Sequence, residues 1–337
     1  MLANRLEMGD FNNRLLMCVK QALPVGLKTS IWLIKLTLPV SFAVLLLDYF
    51  GLLVIMAEYT SPLFQIIGLP GVAALVLITS IFTNIYSVVA VLTTLALPDR
   101  DGTILAVMCL ISHGFLIETA ILKKTGSSAI RMLLLRLISS FLVGALLNFF
   151  LPGSPSQGTF SYQTQNSDLS QTILSWLPQI GITLLKIVIL VNALLIVQRC
   201  LEEFGILKYM TKPLSPFMRL MGLPKESAFL WMIGNTIGLA YGSAVMLQKV
   251  EEGQLKQKEC DLVNHHLAIS HSQLEDPLLF LSLGYSLPIL IIPRVLFAIV
   301  VVWLRRFENS LKERYSQRKF TETQSSVLQP SPIKVKK

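Results

Sequence analysis

Eight long apolar runs constrain this chain more than any other feature of its sequence. Each run is near or above the roughly 18 to 20 residues that a membrane-spanning helix needs. Mean hydropathy is +0.62 and charged residues make up 15% of the chain, against roughly 25% in soluble domains. The runs lie near residues 30–57, 70–97, 102–122, 128–150, 176–198, 226–247, 261–283 and 287–304. We therefore predict an all-α polytopic protein embedded in a lipid bilayer.

The net charge of +9 does not indicate nucleic-acid binding, because the basic residues lie mostly in loops and tails, where membrane orientation accounts for them. The sequence contains no P-loop, G-x-G-x-x-G, H-E-x-x-H or G-x-S-x-G pattern, so we expect neither an ATPase nor another enzyme. Its four cysteines show neither C-x-x-C nor zinc-site spacing. We expect no cofactor, no metal site and no nucleic-acid partner.

The chain contains an internal repeat. Without a gap, Leu23-Pro24 aligns with Leu177-Pro178, and Gly68-Leu69-Pro70 aligns with Gly222-Leu223-Pro224. After a polar insert at residues 251–254, Ile111-Ser112-His113 aligns with Ile269-Ser270-His271, Glu118 with Asp276, and Arg136 with Arg294. Such ordered matches of polar residues, glycine and proline indicate two tandem copies. The predicted organisation is an amphipathic N-terminal segment (1–22), a first repeat (23–150), a polar linker (151–176), a second repeat (177–306) and a basic disordered tail (307–337).

The distribution of positive charge predicts that the second copy is inverted. If all eight runs cross the membrane from a cytoplasmic N-terminus, the loop with Lys208, Lys212, Arg219 and Lys225 falls outside, against the positive-inside rule. If the Ile-Ser-His segment of each copy is a re-entrant helical hairpin, three spanning helices remain per copy and both termini are cytoplasmic. Only the loop with Lys249, Lys256 and Lys258 then lies outside, where three glutamates balance its charge. Eight straight helices are the alternative.

Each Ile-Ser-His segment places a hydroxyl, an imidazole and a carboxylate inside an apolar run, where ionisable groups are costly and mark candidate functional sites. Broken segments of inverted-repeat transporters meet near the membrane midplane and offer polar groups to the solute. The predicted solute-binding residues are Ser112, His113, Glu118, Ser270, His271 and Asp276, with Asn84 and Asn235 from the second crossing of each copy. Arg136 and Arg294 are predicted to form structural ion pairs with Glu118 and Asp276. The alternative for the histidines and asparagines is hydrogen bonding between helices.

These motifs resemble the nucleoside recognition, or gate, domain family. That family is shared by concentrative nucleoside transporters, the membrane part of ferrous iron transporters and the spore maturation membrane proteins. The resemblance rests on the duplicated G-L-P, the I-S-H with its following acidic residue, and a later G-x-S with an arginine, and it covers nearly the whole chain. It implies a multi-pass protein of the bacterial inner membrane, with two gate repeats, that moves nucleosides or another small polar solute.

The leading functional expectation is a transporter driven by an ion gradient. H⁺ or Na⁺ is the expected coupling ion, and histidine can carry a proton because it titrates near neutral pH. One alternative is a non-transporting membrane subunit of an envelope or signalling complex. Another is a divalent metal ion permease that uses the histidines and carboxylates as ligands. The expected partners are a small polar solute and either a second copy of the chain or another membrane subunit.

Overall fold

A computed structural model describes residues 2–95, 97–153 and 168–328, and the regular structure within these ranges is helical. The first half contains α1 (Leu2–Tyr49), α2 (Leu52–Gln65), α3 (Ala73–Phe82), α4 (Ile85–Leu95), α5 (Asp99–Ser112), α6 (Phe115–Lys124) and α7 (Ala129–Phe150). The second half contains α8 (Leu169–Glu203), α9 (Ile206–Leu220), a 3₁₀ turn (Lys225–Ser227), α10 (Ala228–Thr236), α11 (Leu239–Glu251), α12 (Gln257–Ser270), α13 (Glu275–Leu281) and α14 (Leu287–Leu328).

Three helices are long and apolar enough to cross a membrane: α7, α8 and residues 287–317 of α14. The bent pair α5–α6 qualifies as a fourth span. On α7, one face at helical spacing exposes Ile130, Leu134, Ile138, Leu142, Leu146 and Phe149. Such an apolar stripe on a long helix fits contact with lipid rather than with water. The chain is therefore a multi-pass membrane protein.

The N-terminal segment is continuous with the first long helix, because residues 2–22 are the beginning of α1. Arg14 Nε lies 3.1 Å from Glu203 Oε1, and Arg199 donates two hydrogen bonds of 2.9 and 2.7 Å to Gln21 Oε1. These contacts pack the start of α1 along the end of α8. Pro24 lies inside α1 without ending it.

The linker and the tail are also shorter than predicted. Helix α8 begins at Leu169, within the predicted linker 151–176, of which residues 154–167 lie outside the described ranges. The tail that was predicted to be disordered from residue 307 continues α14 to Leu328, and the rest of it lies outside those ranges. No glycine or proline interrupts α14 after Pro293, and Glu308 pairs along the helix with Arg305 and Lys312. Such i,i+3 and i,i+4 pairs support a polar helix.

We use the two ends of α7, whose 22 residues span about 33 Å, as reference points for the positions of the other helices. At the linker end, Arg100 Nη2 donates a 3.0 Å hydrogen bond to Asn148 O. At the tail end, Arg131 forms two hydrogen bonds of 2.5 and 2.8 Å with Glu308. Helix α5 thus begins at the linker end, whereas α6 finishes a few residues before α7 begins at the tail end.

The Ile-Ser-His segments are bent helix pairs, which we call the broken spans, and not the predicted hairpins; of the two, α5–α6 is long and apolar enough to cross a membrane. The pair α5–α6 bends by 40° and runs from one end of α7 to the other. In the second half, α12 begins at the tail end, where Gln257 Nε2 lies 3.4 Å from Thr125 O. The pair α12–α13 leads to Tyr285, which packs against Gly102 at the linker end. The two broken spans therefore run in opposite directions.

Helical hairpins lie instead in the preceding runs, which were predicted to cross. A Cβ on Gly242 would lie 3.1 Å from the Cα of Gly234, whereas residues eight apart on a straight helix are about 12 Å apart. Helices α10 and α11 therefore fold back on each other, with Gly238 (φ 111°) at the turn and both outer ends at the tail end. Likewise, α3 follows Gly68, which packs against Asn148 at the linker end, and α4 ends just before α5 begins there. The residues at 83–84 form this second turn.

Candidate functional site

The site forms where the two broken spans lose their helical geometry. Gly114, between α5 and α6, has φ 57°, and Ser272, between α12 and α13, has φ 53°. Ser272 is the one non-glycine residue with positive φ in the described ranges. Gly114 N donates a 2.9 Å hydrogen bond to Ser80 O, and Ser272 N donates a 3.1 Å hydrogen bond to Gly234 O. Each break is therefore held by the first arm of the hairpin in its own half.

Two fully buried arginines satisfy the carbonyl groups that the breaks leave without helical partners. Arg136 donates from Nε to Ile111 O at 2.8 Å and from Nη2 to His113 O at 2.6 Å. Arg294 makes the corresponding bonds to Ile269 O at 3.0 Å and to His271 O at 2.8 Å. The last carbonyls of a helix carry partial negative charge, so a guanidinium group is favourable there.

The predicted ion pairs form on one side only. Arg136 Nη2 lies 2.6 Å from Glu118 Oε2, as predicted. Within the described ranges, Arg294 has no carboxylate at ion-pair distance, and its Nη2 donates a third bond to Leu110 O at 3.2 Å. Arg294 thereby ties the end of α5 to the second half of the chain instead of pairing with Asp276.

Four of the predicted residues converge at the centre. His113 Nε2 lies 3.3 Å from His271 Nε2, 3.1 Å from Glu118 Oε1 and 3.4 Å from Asp276 Oδ2. His271 Nε2 lies 3.2 Å from Glu118 Oε2. We call these four residues the central cluster. It joins the two halves, because each half supplies one histidine and one carboxylate.

The backbone fixes the orientation of both imidazole rings. His113 Nδ1 lies 3.1 Å from Cys109 O, and His271 Nδ1 lies 2.8 Å from Leu267 O. A carbonyl oxygen can only accept, so each Nδ1 carries the proton and donates. In the neutral ring, each Nε2 then presents a lone pair to the central cluster.

The remaining predicted residues do not reach the central cluster with their side chains. Ser112 Oγ donates to Met108 O at 2.7 Å, and Ser270 Oγ bonds His266 Nδ1 at 2.7 Å, so both hydroxyls turn back into their own helices. Asn84 Oδ1 accepts from Tyr86 N and Ser87 N, both at 3.1 Å, and so caps α4. Asn235 Nδ2 donates to Trp231 O at 2.8 Å. Both contacts are local to the asparagine's own helix, so they do not show the predicted alternative of hydrogen bonding between helices.

Sequence reasoning missed two polar contacts around the cluster. Tyr86 Oη donates a 2.5 Å hydrogen bond to Glu275 Oε1, which links the first hairpin to the start of α13. His266 Nδ1 accepts a 3.1 Å hydrogen bond from Trp231 Nε1. The sequence contains a signal for such contacts. The run 261–283 carries more polar and ionisable residues than a spanning helix usually tolerates unless they have partners or a function.

The cluster is closed to solvent. His271 is 1% exposed and His113 is 6% exposed. Asp276 is 5% exposed, and the Glu118 side chain is 15% exposed. Buried charge requires partners in close contact, and Arg136 provides one for Glu118 at 2.6 Å.

Comparison with known proteins supports the membrane assignment. Over 283 residues the chain is 28% identical to the uncharacterized membrane protein YvoD of Bacillus subtilis (strain 168), covering 83% of this chain and 91% of that protein. No family model and no solved structure matches the chain.

Proposed function

We propose that this protein is a transporter of the bacterial inner membrane, built from two inverted halves with both termini in the cytoplasm. Its central cluster binds a small polar or charged solute between the halves. Movement of one half against the other exposes the solute to each side of the membrane in turn, as in inverted-repeat transporters.

The order of elements supports two related halves. Each half has a long helix, a short helix, a hairpin, a broken span and a second long helix, in that order. Gly51 and Gly205 precede the short helices with φ 71° and 62°, and Gly126 and Gly284 follow the broken spans with φ 99° and 98°. The shared backbone conformations lie at positions that the repeat aligns.

The positions of the basic residues support inversion. The hairpin α10–α11 returns to the tail end, so the loop with Lys249, Lys256 and Lys258 lies at the same end as Lys123 and Lys124. In the sequence prediction this was the one basic loop placed outside, and its position at the tail end agrees with the positive-inside rule. Positive charge accumulates in cytoplasmic loops, so we assign the tail end to the cytoplasm.

The observation that carries the proposal is the contact between the halves at the central cluster. Glu118 of the first half touches both histidines, one from each half, and the two Nε2 atoms are 3.3 Å apart. A ligand held there contacts both halves, so its binding energy depends on their relative position. Nucleosides enter as candidate solutes through the family resemblance.

A non-transporting membrane subunit is the second candidate, because the cluster is buried and its residues contact one another across the two halves. In that case the histidines and carboxylates hold the halves together permanently. The two candidates differ in whether the cluster ever opens to water.

A cysteine beside the cluster tests the proposal without knowledge of the solute. Ser272→Cys is introduced on a cysteine-free background, because Ser272 is 9% exposed and adjoins His271. A membrane-impermeant maleimide is applied to right-side-out and, separately, to inside-out vesicles. Asp168→Cys and Ser310→Cys are the matched controls, since both positions are exposed and lie at opposite ends.

A transporter exposes Ser272→Cys slowly to the reagent from both sides, whereas each control is labelled from one side only. Absence of labelling at Ser272→Cys from either side, with the controls labelled, contradicts transport and favours the static subunit.

A further inference from the structure

The central cluster contains acceptors that face one another without a donor between them. Both Nδ1–H groups are used by backbone carbonyls, so the Nε2 atoms of His113 and His271 meet at 3.3 Å as two lone pairs. Carboxylate oxygens of Glu118 lie 3.1 and 3.2 Å from these same nitrogen atoms. An ionised carboxylate only accepts, so the arrangement calls for a cation among these atoms.

The spacing of the acceptors matches the coordination shell of a small transition-metal ion. Zinc binds histidine nitrogen at roughly 2.0–2.1 Å and carboxylate oxygen at roughly 2.0–2.2 Å, usually in a tetrahedron. The ligand atoms of such a tetrahedron lie about 3.3–3.5 Å apart. In the cluster, His113 Nε2 and His271 Nε2 are 3.3 Å apart, Glu118 Oε1 lies 3.1 Å from the first and Glu118 Oε2 lies 3.2 Å from the second.

The surrounding groups orient these ligands as the outer shell of a metal site does. Metal-binding histidines almost always donate their second ring N–H to a carbonyl or carboxylate, and Cys109 O and Leu267 O fill this role. Ligating carboxylates are themselves hydrogen-bonded. Arg136 holds Glu118 Oε2 at 2.6 Å, which leaves Oε1 available beside His113 Nε2.

The closure of the cluster favours an ion over an organic molecule in this conformation. A pocket for a drug-sized ligand typically has a volume of about 300–1,000 Å³. A metal ion needs only the space between its ligand atoms, and the ligand atoms of His113, His271 and Glu118 already lie within 4.8 Å of one another.

We infer that the central cluster binds one divalent first-row transition-metal ion through His113 Nε2, His271 Nε2 and a carboxylate oxygen of Glu118, which leaves a fourth tetrahedral position open. The inference deepens the proposed function. Its claim that this ion is the transported solute rests on the proposed function, whereas its claim that the cluster binds the ion does not. Glu118 already pairs with Arg136, so its charge neutralises the ion only in part. We therefore expect reversible binding, which suits a cargo that must be released.

The test measures binding of Zn²⁺ alone to the purified full-length protein in detergent. Competition with a chromogenic zinc chelator gives stoichiometry and affinity, and Co²⁺ reports geometry, because tetrahedral Co²⁺ absorbs visible light far more strongly than octahedral Co²⁺. The wild type should bind one Zn²⁺ per chain and give the tetrahedral Co²⁺ band. If the wild type does not bind Zn²⁺, or if its Co²⁺ spectrum lacks the tetrahedral band, the inference is overturned by the wild-type measurement alone.

The variants assign the ligands. His113→Gln and His271→Gln should each weaken Zn²⁺ binding at least tenfold. His265→Gln and His266→Gln are matched controls on α12, since these histidines are equally buried but have no contact with the cluster, and they should leave affinity within twofold. Size-exclusion profiles and thermal midpoints identify any variant that does not fold, and His113→Asn or His271→Asn then replaces it. Equal affinity in folded wild type and cluster variants refutes the assignment.

Failure of the inference and failure of the proposed function give different patterns. Histidine-dependent Zn²⁺ binding without labelling of Ser272→Cys from either side supports the ligands but refutes the ion as cargo. Labelling from both sides without Zn²⁺ binding supports a transporter and refutes the metal inference.

Discussion

The ion pair between Glu118 and Arg136 yields the sharpest energetic prediction. The two charged groups approach to 2.6 Å, and their side chains are 15% and 0% exposed. At an effective dielectric constant of about 20, opposite charges at this distance attract by about 6 kcal/mol, which is an upper bound because both groups lose hydration. Removing either partner leaves the other as a buried charge with reduced compensation.

Each single substitution should therefore lower the free energy of unfolding by more than the net contribution of the ion pair. We expect Glu118→Gln and Arg136→Met each to lower the free energy of unfolding by about 3–5 kcal/mol. The double variant should recover part of this loss, because no uncompensated charge remains. The expected coupling energy is about 2–3 kcal/mol.

The assay is a double-mutant cycle on the protein in mixed micelles, with unfolding by sodium dodecyl sulfate followed through tryptophan fluorescence. Arg199→Met combined with Glu118→Gln is the control cycle, since Arg199 is on the surface and contacts Gln21. It should show additive losses. Additive losses for Glu118 and Arg136 as well would refute the assignment of their contact as the main charge compensation in the site.

Three further predictions concern local conformation and surface charge. Gly114→Ala should destabilise the protein by roughly 1–2 kcal/mol, because the left-handed backbone of this residue (φ 57°) disfavours a Cβ. Ser272→Gly should stabilise the protein by about 0.5–1 kcal/mol, because it relieves the same strain at a smaller cost in conformational entropy. Gly71→Ala should destabilise the protein by about 2–3 kcal/mol, since the added Cβ would lie 1.9 Å from a carbonyl oxygen of α2. In Gly181→Ala the added Cβ would have no atom within 4 Å, so this substitution should be neutral or stabilise the protein by up to about 1 kcal/mol. Glu308→Gln should cost roughly 1 kcal/mol at low salt and less at high salt, because its ion pairs are partly exposed.

The same unfolding assay measures all of these variants. A stabilising Gly114→Ala, equal effects of the Gly71 and Gly181 substitutions, or a salt-independent loss in Glu308→Gln would each contradict the corresponding contact or backbone conformation.

The length and apolarity of the runs predicted helical, membrane-spanning structure correctly, because burial of backbone polar groups in lipid leaves few other options. The choice of hairpin was wrong for a physical reason. Either the run with Asn84 or the run with His113 could fold back and still leave three crossings per half, so loop charge alone does not distinguish them. The distinction depends on tertiary contacts such as Gly234 against Gly242.

The candidate site was predictable in its ionisable residues but less so in its hydroxyl and amide groups. A histidine or carboxylate inside a span is costly and must find partners, and His113, His271 and Glu118 do converge. A serine can satisfy itself within its own helix by donating to the carbonyl four residues earlier. Ser112 does this, so its sequence position beside His113 carries no information about the site.

The opposite directions of the two broken spans are the central structural claim, and cysteine labelling tests them most directly. Single cysteines at Asp99 and Lys124 flank α5–α6, and single cysteines at Lys258 and Ser286 flank α12–α13, all at exposed positions. On a cysteine-free background in intact cells, an impermeant reagent should label Asp99→Cys and Ser286→Cys but not Lys124→Cys and Lys258→Cys. Labelling of Asp99→Cys and Lys124→Cys from the same face would show that the Ile-Ser-His segment is re-entrant, and would contradict the arrangement on which the central cluster and its proposed function depend.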